Sequence, residues 1–93
     1  MEYKIVRSQS AGVFAGLIES IDGETVTMLK ARRLWYWVGA ASLSELALKG
    51  VKKPKDCKFP IAVDRIVIRP WIEIIDVTPE ARASIEGVPE WQA

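Results

Sequence analysis

Val13-Phe14-Ala15-Gly16-Leu17-Ile18-Glu19-Ser20-Ile21-Asp22-Gly23-Glu24-Thr25-Val26-Thr27-Met28-Leu29-Lys30 decides the fold class. Val13, Ala15 and Leu17 alternate with Phe14, Gly16 and Ile18, the two-residue period of a strand. Asp22-Gly23 then separates this run from a second β-rich run, Thr25 to Lys30. A two-residue hairpin turn of type I′ needs positive φ at both central residues, which Asp-Gly supplies. The segment therefore predicts an antiparallel hairpin. Gly16, inside its first strand, marks a bend or a close backbone approach.

Downstream, the second strand runs on into Ala31-Arg32-Arg33-Leu34-Trp35-Tyr36-Trp37-Val38-Gly39, with a bulge expected near Lys30-Ala31. If the segment stays extended, Arg33, Trp35 and Trp37 line one face, and Arg32, Leu34 and Tyr36 the other. Each face then carries a guanidinium and a ring. Gly39-Ala40-Ala41-Ser42 opens a helix, for Ser42-Leu43-Ser44-Glu45 has the form of a capping box. Lys49 ends that helix, and Gly50 caps it. Val51 to Lys58 is a lysine-rich loop broken by Pro54.

Further out, Tyr3 to Arg7 is a short strand, followed by a turn at residues 8–12. Ile61 to Ile68 is part strand, Pro70 interrupts, and Trp71 to Val77 is another strand. Thr78-Pro79 starts a short helix ended by Gly87. Val88-Pro89-Glu90-Trp91 either packs back or reaches a neighbour.

The charge of this 93-residue chain is nearly balanced, at +1, but unevenly placed. Residues 30–58 hold eight bases and two acids, whereas the flanking thirds are acidic. A positive patch on a near-neutral protein follows, not bulk attraction to DNA or membrane. There is no histidine and one cysteine, Cys57. Most zinc sites, nucleophile–histidine pairs and internal disulfides are thereby removed. No acid pair has spacing suited to glycosidase or metal chemistry, so no enzyme activity, catalytic residue, metal or cofactor is expected. No apolar run reaches bilayer length and the N-terminus is no signal peptide. A cytoplasmic protein is expected, in the host cytoplasm if phage-encoded.

Two resemblances add to these readings. Gly12-Val13-Phe14-Ala15-Gly16-Leu17-Ile18-Glu19-Ser20-Ile21-Asp22-Gly23, continuing to Leu29-Lys30, resembles the first motif of Sm-like proteins, most of all the bacterial Sm-like RNA chaperone. That resemblance covers about a quarter of the chain. It implies a strongly bent five-stranded barrel, often in a ring. The helix and lysine loop after Gly39 depart from the family, which has a short turn there, and no Tyr-Lys-His triplet is present to carry over its uridine site. The patterns Ala31 to Ala47, Pro54 to Pro60 and Ser84 to Trp91 resemble small phage and prophage proteins of unknown function. Phage proteins of this size include oligomeric sponges that sequester cyclic nucleotide signals of bacterial immunity, a link by analogy of size, origin and site chemistry.

Together these readings predict one domain over residues 1–93. It is mainly β with α: a small Sm-like or SH3-like bent barrel with an inserted helix and a short C-terminal helix. The candidate ligand-binding residues are Arg32, Arg33, Trp35, Tyr36, Trp37, Ser42, Ser44 and Lys58. Aromatic rings stack bases. Guanidinium grips phosphate in two-pronged fashion, and a helix start with free N–H groups suits an anion. The same rings also suit core and oligomer contacts, and Arg32 and Arg33 also suit pairing with Glu73 or Asp76. The expected function is non-enzymatic binding of a phosphate-bearing nucleotide by a homo-oligomer, a ring or compact hexamer, as in a phage anti-defence sponge. Single-stranded RNA binding by an Sm-like ring and a structural phage accessory role are the alternatives.

Overall fold

A computed structural model describes all residues, 1–93. The elements run β1 (Tyr3–Ser8), β2 (Gly12–Asp22), β3 (Thr25–Arg33), α1 (Leu43–Lys49), β4 (Val63–Ile68), β5 (Trp71–Asp76) and α2 (Pro79–Gly87). The strands form one antiparallel sheet in the order β4-β3-β2-β1-β5. The β2–β3 hairpin forms, but its turn lies one residue later than expected. Asp22 pairs with Thr25, so Gly23 and Glu24 are the central residues, and only Gly23, at φ 58°, has the positive φ that a type I′ turn needs at both,. The helix inserted after β3 and the short C-terminal helix are both present.

The bend in β3 has an identifiable cause. Ala15 pairs with Arg32 and Leu17 with Leu29, so Gly16 alone faces Lys30 and Ala31. This is a β-bulge, with Lys30 at φ 51°,. It shifts the phase of the strand. Val26, Met28 and Ala31 all bury on one face of the sheet, with Val6, Phe14 and Ile68. Beyond the bulge Leu34 turns to the other face and joins Ile5 and Ala15 beneath the helices, with Leu46, Phe59 and Ile85. Gly16 is required here, since a Cβ on it would lie 2.8 Å from the Ala31 Cα.

β3 ends at Arg33 and does not run extended through Trp37. Its partner β2 begins at Gly12, so after the Leu34 N–H donates to the Val13 carbonyl at 2.8 Å only Gly12 remains of that strand. Tyr36 pairs instead with Lys58 in an isolated bridge, and the lysine loop carries a single 3-10 turn at Pro54–Asp56. The sheet is also open. β4 and β5 share no ladder, and the start of β5 touches the hairpin only through Trp71, whose N–H donates to the Glu24 carbonyl and whose indole Nε1 donates to Gly23.

Each helix covers the sheet by a short apolar face. Leu46 and Ala47 of α1 and Ala81 and Ile85 of α2 are fully buried, each large side chain contributing about 1.5–3 kcal/mol,. Ser42 caps α1 by accepting from the Glu45 N–H, and Thr78 caps α2 by accepting from the Ala81 N–H. Thr78 also donates its hydroxyl to the Leu48 carbonyl at 2.7 Å, tying the two helices together. No helix is long and apolar enough to cross a membrane.

Two glycines should therefore respond differently to a methyl group. At Gly23 the new Cβ meets open space, and positive φ alone costs about 1–2 kcal/mol,. At Gly16 it meets backbone of β3 that cannot move without breaking the bulge. Gly16→Ala is expected to lower the urea midpoint well beyond Gly23→Ala; equal midpoints would contradict the packing described.

Candidate functional site

Beyond the end of β3 the alternation holds only to Trp35, since Tyr36 is exposed as well. Leu34 is buried, whereas Trp35 is 62 % exposed, too open for a core residue. Arg33, Trp35 and Trp37 line one open cleft of about 720 Å³, a size suited to a small ligand,. Its opposite side is the turn between β1 and β2, with Ser10, Ala11 and Gly12. Its remaining wall is Trp91, from the segment after α2.

Trp91 packs back on its own chain. Its N–H donates to the Phe59 carbonyl at 3.0 Å, and Glu90 bridges Phe59 in parallel. Its ring meets Trp35 edge to face, with centroids 4.9 Å apart and planes at 76°. Such pairs contribute about 0.5–1.5 kcal/mol beyond their burial. Lys58 braces the same wall, with Nζ 5.6 Å from the centroids of both Tyr36 and Trp91.

The two arginines diverge because they sit on opposite faces of β3. Arg32 is buried, and its Nε, Nη1 and Nη2 donate to the carbonyls of Pro60, Ile85 and Phe59 at 3.0, 2.9 and 2.9 Å. Burial lowers its pKa, with Tyr3 and Glu90 pulling the other way. Arg32 thus faces the scaffold, not the cleft, and neither arginine pairs with Glu73 or Asp76. Those two acids hold Arg7 and Lys4 of β1. Arg33 is exposed, lies 4.7 Å over the Phe14 ring and forms no ion pair.

The helix start carries a carboxylate. Ser42 accepts from the Glu45 N–H at 3.1 Å, and the Glu45 carboxylate accepts from the Ala41 N–H at 3.3 Å, one residue before the cap. The negative charge beside the first turn opposes an anion there. Ser44 faces away, into a groove between α1 and β5 with Leu48 and Ile75. The geometry thus brings Arg33, Trp35 and Trp37 together, with Tyr36 and Lys58 at the rim. It leaves Arg32, Ser42 and Ser44 outside. Cys57 is buried, and its thiol interacts with the Val38 amide.

Residues 1–85 match the model of a domain of unknown function, DUF6948. The chain belongs to this family. No curated protein and no solved structure matches it. In this DUF6948 protein Trp91 lies beyond the matched span, although it forms a wall of the cleft.

Sequence reasoning left Trp91 and the Ser10–Gly12 turn out of the site. A tryptophan after Pro89, with no strand or helix of its own, was the available signal. The β1–β2 turn had none, because small polar residues read only as a turn.

The divergence of the arginines predicts opposite phenotypes. Arg32→Met removes three charge-assisted hydrogen bonds, leaves the Pro60 carbonyl without a donor, and should cost about 3 kcal/mol or more of folding stability,. Arg33→Ala should cost about 1 kcal/mol or less. Thermal melts of the two variants check this, and similar melting points would show that Arg32 does not carry the scaffold.

Proposed function

We propose that this protein binds a phosphate-bearing nucleotide without chemical turnover, and acts as a phage-type protein by sequestering that ligand, such as a cyclic nucleotide immune signal, in the host cytoplasm. The observation that carries the reading is the convergence of Trp35, Trp37 and Trp91 on one open cleft beside Arg33 and Lys58, two cations in no ion pair. Exposed rings give a flat base a stacking surface worth about 1–3 kcal/mol. Free cations at the rim attract its phosphate.

Self-association belongs to the same reading. β4 and β5 leave their outer edges unpaired, and Ile61, Val63, Val67 and Ile72 are exposed near them. Unpaired edges favour pairing with another chain. The five antiparallel strands and the bulge in β3 support the Sm-like reading, in which a homo-oligomeric ring covers those edges. Sedimentation at micromolar concentration is expected to give an oligomer, and a monomer would remove this part of the proposal.

Calorimetric titration with cyclic nucleotides tests the binding itself. Trp35→Ala and Trp91→Ala should each weaken binding by about 1–3 kcal/mol while melting shifts by a few degrees. The logarithm of affinity should fall with that of salt with a shallow slope, because a small ligand has no condensed counterion layer to release. A steep slope with oligoribonucleotides and no binding of small nucleotides would assign the cleft to single-stranded RNA. A Trp35→Ala variant that unfolds, with Arg33→Ala unchanged in every respect, would leave a structural role.

A further inference from the structure

The charges around the cleft narrow the class of nucleotide. No acidic residue lines it, and Glu90, next to Trp91 in the chain, opens instead into a separate groove with Lys30 and Glu86. Mg²⁺ on a nucleoside triphosphate is normally held by one or two protein carboxylates in addition to the phosphates. This cleft offers none.

The free cations are also few and apart. Arg33 rests on the Phe14 ring, whereas Lys58 stands between Tyr36 and Trp91. Arg32 is committed to three carbonyls. The helix start at Ser42 is not part of the cleft lining, so its backbone N–H groups form no cradle for a terminal phosphate there. A contiguous triphosphate needs clustered cations, a metal or such a cradle. A phosphodiester carries one charge, and a terminal monoester about −1.5 to −2. Two single cations on different rings match two separated diesters.

Resting on the nucleotide reading above, we infer that the cleft takes a phosphodiester dinucleotide free of metal, each diester meeting one of Arg33 and Lys58, in preference to a magnesium-bound nucleoside triphosphate. Base identity matters less than phosphate arrangement. The bases meet indole faces, while Ser10 and Arg33 supply the polar side chains of the lining.

Titration of the intact protein with cyclic di-AMP, cyclic di-GMP and ATP, each with Mg²⁺ and with EDTA, decides the matter. A cyclic dinucleotide should bind equally well in both buffers, and about tenfold or more tighter than ATP in either. Arg33→Gln and Lys58→Gln should each weaken it about tenfold or more, the loss of one charge-assisted contact. Tight ATP binding that needs Mg²⁺ would overturn this inference and leave nucleotide binding standing. Binding of no nucleotide at all, by a protein that melts cooperatively, would overturn both.

Discussion

The guanidinium of Arg32 is the contact on which the rest of this small fold depends. It enters the protein from β3 and donates to three carbonyls, one at the end of α2 and two in the segment leading to β4. Burying a cation without a carboxylate is costly, and charge-assisted bonds of roughly 1.5–3 kcal/mol each offset that cost. The Phe59 carbonyl accepts from both Arg32 Nη2 and the Trp91 N–H. One peptide group therefore links the buried cation to the wall of the cleft. Scaffold and site share this joint, so the cleft is fixed from beneath by a residue that does not line it.

The bulge at Lys30-Ala31 makes that arrangement possible. A regular strand carrying Val26 and Met28 to one face would send Lys30 and Arg32 there too. The extra residue changes the phase, so Arg32 and Leu34 go under the helices and Arg33 and Trp35 face out. Two adjacent arginines thus take opposite tasks through one backbone irregularity. Arg33 and the lysines of residues 49–58 form no ion pair, so their charge stays available at the surface.

Local signals were legible in the sequence wherever local chemistry decides the structure. The hairpin between β2 and β3, the bulge and both helix caps all follow from residue type and spacing, though the turn itself falls one residue after the Asp22-Gly23 expected. What the sequence did not reveal depends on distant partners. Nothing near Leu34 says that β2 starts too late to pair with Trp37. Nothing near Arg32 says that the carbonyls of Phe59, Pro60 and Ile85 await it. The Ser42 capping box was visible, but not that the Glu45 carboxylate would reach the Ala41 N–H instead of that of Ser42. Trp91 became part of the site only through chain reversal after α2.

The four tryptophans offer the most direct measurement, because one of them is an internal control. Trp35, Trp37 and Trp91 line the cleft, whereas the Trp71 indole donates to Gly23 at the hairpin turn. Each indole N–H gives its own NMR signal. On titration with cyclic di-AMP the resonances of Trp35, Trp37 and Trp91 should move together and saturate, with that of Trp71 unchanged. Four unmoved signals, or a shift of Trp71 alone, would contradict a nucleotide site in the cleft.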